Sequence, residues 1–450
     1  MQGGRNTHKL PFDPARWPFF YGWFILFAAV VGTVCSVPGQ TFGVSAFTEP
    51  LIASLELNRT LLSTAYMLGT IGSAFFLTWG GRLYDRLGAR VTAVISGAGL
   101  GLVLLYLSRI DDVAAELARA LNLSSAKWTA VASITLGFLC LRFTGQGMLT
   151  IVSRNMVMKW FDQRRGLANG IIGVFIPIFF SASPLFFDHL IEALGWRGAW
   201  TYIGITLILG VTVFALIFYR DNPEACGLSP DGTAGSAETT EKQGTDRSGD
   251  YTLSQARRTH TFWVFNLTVA LHAFYMTALT FHIVSVFSQA GIGESRAFAI
   301  FIPCSVISVV IGMVLGWISD HIRLKYPLWV LIGGMLLSMA GIFVLNNAPG
   351  YYMVIAGNGL AGSTFGLLQT VSWPRFFGRT HLGAISGFHM SWVVAFSAVG
   401  PFFFGLAYEH LDSYLPAVAG CVCVLVILFL LSIPLREPDL PDFTETWENL

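Results

Sequence analysis

The sequence predicts an all-α membrane protein, with twelve transmembrane helices in two six-helix bundles. Three observations carry that prediction. The 450 residues are 54% hydrophobic and only 12% charged, with a mean hydropathy of +0.62, whereas a soluble domain carries about 25% charged residues. Twelve apolar runs approach or exceed the roughly 20 residues that a bilayer crossing requires. One polar stretch in the middle leaves six runs on each side. The charge balance, Lys+Arg 27 against Asp+Glu 26, creates no field that would draw a polyanion. Together these exclude a water-soluble enzyme, a disordered scaffold and an electrostatic nucleic-acid binder.

The runs cover 20–48, 60–80, 91–108, 128–151, 167–187, 199–219, 262–288, 297–317, 326–346, 350–372, 383–407 and 414–434. The first is too long for the apolar core of a signal peptide, and no small-residue cleavage site precedes a mature domain. Around the runs the chain divides into an N-terminal segment 1–19, a bundle 20–220, a polar linker 221–258, a second bundle 259–435 and a tail 436–450. The linker is rich in Gly, Ser and Thr without an apolar period, the composition of a flexible connector. Residues 109–127 place Val113, Leu117 and Leu121 at helical spacing among Asp112, Glu116 and Arg119, which predicts a short amphipathic helix.

Positive charge sets the orientation. Twenty of the 27 Lys and Arg residues fall on the side that holds both termini, six on the other, and Arg142 lies within a run. Both termini are therefore expected in the cytoplasm, in a plasma membrane of the bacterial inner-membrane type. The six cysteines form no C-x-x-C pair and read as small core residues.

Two halves of six runs should share signals if they arose by duplication. Gly81-Arg-Leu-Tyr-Asp85-Arg86-Leu-Gly88-Ala-Arg90 follows run 2, and Gly316-Trp-Ile-Ser-Asp320-His321-Ile-Arg323-Leu-Lys325 follows run 8, 235 residues on. Gly166 before run 5 matches Gly383 before run 11, 217 residues on. The two offsets differ by 18 residues, about the length of the extra segment 109–127.

At these residues the sequence resembles the major facilitator superfamily. Gly81–Arg90 is similar to that superfamily's signature G-x-x-x-D-(R/K)-x-G-x-(R/K), and Gly316–Lys325 is its degenerate echo. Trp160-Phe161-x-x-Arg164-Arg165-Gly166, Asn222-Pro223-Glu224-x-x-Gly227 and Gly378-Arg379-x-His381-Leu382-Gly383 look like the monocarboxylate-transporter-like and oxalate/formate-like branches. The resemblance implies the major facilitator fold and a gating role for Gly81, Asp85, Arg86, Gly88, Arg90, Gly316 and Asp320. Asp85 would face the start of run 11, because a helix N-terminus favours a carboxylate. Two features depart from the family. The antiporter-type G-P-x-x-G-G of run 5 is absent, and runs 1 and 8 lack the charged residues of the monocarboxylate branch.

Ionisable groups inside a run are costly and are candidates for function. Arg142 is the one Lys or Arg in a run core, about 21 Å from the outer end of its helix. No Asp or Glu lies clearly within a run to balance it, so an anionic substrate is the expected counter-ion. Gln146 and Ser153 follow on its helical face, and Gln40 stands just after the helix-breaking Pro38-Gly39. Tyr66 and Thr70, Tyr275, Asn358, Gln369 and Trp392 complete the expected substrate lining. His272, His282 and His389 are the candidates for proton coupling, since histidine titrates near neutral pH.

No phosphate loop, metal cluster or catalytic triad is legible, so neither a cofactor nor enzymatic activity is expected. The sequence thus reads as a secondary transporter working by alternating access on a small organic anion such as a monocarboxylate, with proton symport open to it. Efflux of lipophilic compounds and a non-transporting receptor or assembly protein are the alternatives. The expected partners are the lipid bilayer and a small molecule, with no nucleic acid, and the expected state is a monomer.

Overall fold

A computed structural model describes residues 11–123, 125–232 and 250–435, and these are helical wherever they are regular. Eight continuous helices among them are long and apolar enough to cross a membrane. Two of these rods each hold two spans. Arg59–Leu107 is divided at Gly88 (φ +77°) into spans 2 (59–87) and 3 (89–107). Arg165–Thr206, with its continuation to Phe218, is divided at Gly195 (φ +70°) into spans 5 (165–194) and 6 (196–218). A residue without Cβ adopts these positive φ values without strain.

Span 1, Tyr21–Cys35, stops at the 3-10 turn Val37–Gly39 and resumes as Thr41–Ser45 and Thr48–Leu55. Pro38 causes the stop, because it fixes φ and has no N–H to continue the ladder. Span 4 runs from Lys127 to Leu141, widens to a π-helix over Arg142–Leu149, and returns to α over Thr150–Trp160. The later spans are His260–Phe281 (span 7), Phe301–Ser319 (span 8), Lys325–Phe343 (span 9), Ala348–Phe377 (span 10), Leu382–Leu411 (span 11) and Leu415–Ser432 (span 12). The amphipathic segment between spans 3 and 4 is a helix over Ile110–Ala120.

The chain forms two compact units, one of Met1–Trp160, Phe175–Ser236 and Ser386–Ser391, the other of Phe161–Val174, Ala237–Ile385 and Trp392–Leu450. In the first, Leu100, Leu104 and Leu107 of span 3 form one buried stripe with Ile134, Phe138 and Leu141 of span 4. In the second, small residues bring spans 9 and 10 together. A Cβ on Gly357 would lie 2.4 Å from the Ser338 nitrogen and 2.6 Å from the Gly334 oxygen. Lipid is as apolar as a leucine core, so helices in a bilayer gain by close backbone approach more than by hiding from water.

The signature Gly81–Arg90, which follows run 2 in the sequence, stays helical through Leu87, and the chain turns at Gly88 alone. One expectation is corrected. The linker is folded at both ends. Residues 221–232 make two 3-10 turns with Cys226 buried, and Thr252 caps the short helix Leu253–Ala256. The middle of the linker, 233–249, and the tail 436–450 lie outside the described residues.

Gly357→Ala is expected to destabilise the protein by about 1–3 kcal/mol through overpacking, seen as a lower melting midpoint in detergent. Gly333→Ala, on the same span 9 but with nothing within 4 Å of the added carbon, is expected to leave the midpoint unchanged.

Candidate functional site

In the first unit the breaks in spans 1 and 4 meet. A Cβ on Gly145 would lie 2.8 Å from the Gly39 Cα, so the 3-10 turn and the π-helix touch backbone to backbone. Arg142 opens the π segment and is buried, at 4% exposure. Its Nη1 donates to the Gly39 carbonyl at 3.3 Å and to the Thr41 hydroxyl at 3.5 Å. The guanidinium carbon lies 5.4 Å from the centre of the Tyr66 ring, and the Tyr66 hydroxyl pairs with Thr41 at 3.0 Å. Arg142 Nε has no hydrogen-bond partner among the described residues, and no carboxylate there pairs with the guanidinium.

Gln40 anchors the same break: its amide donates to Ser36 at 3.2 Å and to Thr150 at 3.4 Å. Gln146 lies one turn beyond Arg142, with its Oε1 buried and without a partner among the described residues. The structure therefore gathers Arg142, Tyr66 and Gln40 around one kink, with Gln146 next along the helix. Ser153 is not part of this group. The π segment shifts the register after Arg142, and Ser153 pairs instead with the Tyr219 hydroxyl at 3.2 Å.

The second unit holds most of the remaining candidates. His272 is buried, stacks on Phe365 with ring centres 4.6 Å apart, and neither ring nitrogen has a partner among the described residues. Asn358, one further turn pair along span 10, has a buried Oδ1 without a partner there. Tyr275 is turned to packing, its hydroxyl 2.7 Å from Ser338 on span 9. Gln369 is buried and its carbonyl accepts from the Trp373 indole at 3.0 Å. Trp392 packs edge-on against Trp263 at 5.4 Å. His282 caps the end of span 7, with Nε2 3.0 Å from the Pro401 carbonyl and Nδ1 3.3 Å from the Tyr414 hydroxyl. His389 is buried within the short Ser386–Ser391 piece of the first unit.

The signature residues and their echo make matching contacts. In the first unit a Cβ on Gly387 would lie 2.5 Å from the Leu77 oxygen and 3.2 Å from the Gly81 Cα. In the second, a Cβ on Gly316 would lie 2.6 Å from the Gly166 oxygen and 3.2 Å from the Gly170 Cα. Asp320 then accepts from the backbone nitrogens of Gly166 at 2.6 Å and Leu167 at 3.0 Å, placing a carboxylate on the N-terminus of span 5. Burial pushes the Asp320 carboxyl above the usual range, and the two N–H groups, His321 and Arg375 pull it partly back. Asp85 sits half-buried on the last turn of span 2, and Arg86 is exposed.

These helices carry a recognisable family pattern over most of their length. The family model described as Major Facilitator Superfamily matches residues 29–374. The chain belongs to this superfamily. The oxalate:formate antiporter of Oxalobacter formigenes is 24% identical over 250 residues, which cover 54% of this chain and 50% of that protein. The match thus spans half of the antiporter's own length. An uncharacterized MFS-type transporter, YhjX of Escherichia coli (strain K12), is 24% identical over 330 residues, 71% of this chain and 72% of that one. The solved structure of the proton:xylose symporter XylE, bound to 6-bromo-6-deoxy-D-glucose, superposes with a TM-score of 0.64 at 16% identity, covering 92% of this chain and 94% of that one. The chain is a multi-pass membrane protein of the major facilitator fold.

Sequence reasoning missed the partners that hold the signature of this major facilitator protein in place. Asp221, just beyond span 6, accepts from the Ala89 nitrogen at 3.0 Å and from Lys159 Nζ at 3.1 Å. Arg90 donates through Nε to the Tyr219 carbonyl at 3.1 Å. Gly88 faces Asp221, so the turn, the end of span 4 and the end of span 6 share one carboxylate. The available signal was Asp221 itself, an acidic residue directly after span 6 on the side that gathers basic ones. In the second unit Asp250 accepts from the nitrogens of Arg379 and Thr380 at 2.8 and 2.9 Å, beside Gly378 at φ +82°.

Asp221→Ala removes both interactions and leaves Lys159 mostly buried without its carboxylate. The expected loss is about 1–3 kcal/mol, read as a lower melting midpoint, while Asp221→Glu recovers part of it. The raised Asp320 carboxyl gives a pH test. A carboxyl raised in the folded state contributes stability that is complete below its unfolded pKa and is lost as pH rises through the folded one. The stability of wild type relative to Asp320→Ala is therefore expected to decline from acid toward neutral pH. Thermal melts across that range measure it.

Proposed function

We propose that this transporter carries a small organic anion, such as a monocarboxylate, by alternating access. The observation that carries the reading is Arg142. A guanidinium remains protonated, and this one is buried at the junction of two broken helices with only neutral groups around it among the described residues. Broken helices at membrane depth are tolerated where they line a binding cavity. A carboxylate brought from solution supplies the missing negative charge. Tyr66, Gln40 and Gln146 stand with Arg142 in the first unit, and Asn358, Gln369, Tyr275 and Trp392 of the second unit are the further candidates for substrate contact.

Two couplings rest on different observations. Proton symport is supported by His272, buried with neither ring nitrogen partnered among the described residues, with His282 and His389 as further proton carriers. Anion exchange is supported by the likeness to a protein named as an antiporter. Gly81, Asp85, Arg86, Gly88, Arg90, Gly316 and Asp320 act as the gate, and the Asp320 contact with span 5 supports that role. The protein works as a monomer in a plasma membrane of the bacterial inner-membrane type, with its termini in the cytoplasm.

Liposomes loaded with unlabelled carboxylate, or set under a proton gradient, decide between the couplings by uptake of labelled formate, acetate, lactate and oxalate. Arg142→Ala and Arg142→Lys are expected to lower uptake at least about tenfold, since hydrogen bonds to a charged group are worth about 1.5–3 kcal/mol and each 1.4 is a factor of ten. Undiminished carboxylate uptake in Arg142→Ala would refute the anion-pairing role. Export of lipophilic cations without carboxylate flux would replace the reading with lipophilic efflux.

A further inference from the structure

The helix Ile110–Ala120 is accounted for neither by the binding site nor by the gate. It follows span 3 after two residues and precedes span 4 by six, so it lies at the ends of these spans opposite Gly88. Its residues Ile110, Val113, Ala114, Leu117, Ala118 and Leu121 fall within an arc of about 140° at 100° per residue. Part of that arc is covered by the protein. Ile110, Ala114 and Ala118 are buried, and Thr129 of span 4 donates to the Ala114 carbonyl at 2.9 Å.

The rest of the arc is bare. Leu117 is 38% exposed and Leu121 57%, and the chain continues to Leu123 at 48% and Trp128 at 68%. Trp128 begins the exposed stripe of span 4 that runs on through Ala132 to Leu136, which is the lipid-facing side of a membrane helix. Tryptophan beside lysine at a helix end is the composition of the bilayer interface. On the opposite arc Asp112, Glu116 and Arg119 are exposed. The helix is also fixed in place: Arg197, at the start of span 6, pairs with Asp111 and donates to Ser54 at 3.2 Å. An apolar overhang that continues a lipid-facing stripe, under a charged upper face, fits a lipid surface rather than water.

We infer that Ile110–Ala120 is an interfacial helix that inserts Leu117 and Leu121 into the headgroup–acyl boundary of the leaflet opposite Gly88, with Trp128 at the same level. Lipid is its partner, and through Arg197 it ties the ends of spans 1, 3 and 6 to the bilayer surface.

Nitroxide labels at Leu117→Cys, Leu121→Cys and Asp112→Cys test this in bilayers of phosphatidylcholine and phosphatidylglycerol. The six native cysteines are replaced by alanine, in a chain checked for wild-type helicity and melting. Collision with oxygen and with a water-soluble nickel complex gives the depth of each label. The expected result places labels 117 and 121 about 5–10 Å inside the boundary and label 112 in water. Equal nickel access at all three sites would overturn the inference. Shielding of 117 and 121 from both reagents would overturn it too, because a protein then covers the face.

Discussion

A protonated guanidinium in a hydrocarbon slab is the constraint from which the first unit is built. Placing such a charge at the centre of a membrane helix costs about 2.5–3.5 kcal/mol on insertion scales, so the surrounding backbone is arranged to meet it. Span 1 gives up its helical ladder at Pro38, which turns the Gly39 carbonyl out to accept from Arg142. Span 4 widens into a π-helix where the arginine stands, a deviation common at functional sites. Gly39 and Gly145 let the two irregular stretches touch. The carbonyl, the Thr41 hydroxyl and the Tyr66 ring each offer a partial negative charge, and none offers a full one.

Much of this was legible in the sequence because hydrocarbon imposes simple rules. Twelve apolar runs, the Pro38-Gly39 break, an arginine alone in a run and the amphipathic helix at Ile110–Ala120 each follow from a local pattern. What was not legible depends on where distant backbone groups come to lie. A period of 3.6 residues carries Ser153 onto the face of Arg142, and one π segment between them breaks that count. His282 reads as a proton carrier by its position on span 7, yet the helix ends just before it and it reaches the Pro401 carbonyl and Tyr414. Asp221 looked like the first residue of a flexible connector, and its partners are 62 and 132 residues away.

The two units treat their polar interiors differently. The first holds a cation among dipoles. In the second, His272 lies against Phe365 and Tyr275 against Ser338. Binding energy that differs between the two conformations of a carrier is what shifts their populations.

The geometry of the two turns explains why the signature at Gly81–Arg90 is sharp and its echo at Gly316–Lys325 is blurred. Two parts of the pattern do separate jobs. The first glycine allows close backbone approach, at Gly81 against Gly387 and at Gly316 against Gly166 and Gly170. Gly316 cannot gain a side chain without pushing two helices apart, and both copies keep this glycine. The later glycine serves the turn. In the first copy the chain reverses within a single residue, Gly88 at φ +77°, with Asp221 holding the next nitrogen. In the second copy span 8 ends at Ser319 and span 9 starts at Lys325, and no residue between them has a positive φ. A wider turn needs no glycine, so Arg323 stands where Gly88 stands in the first. The echo retains what the helix contact requires, Gly316 and the capping carboxylate of Asp320, and is free to lose what only a one-residue turn demands.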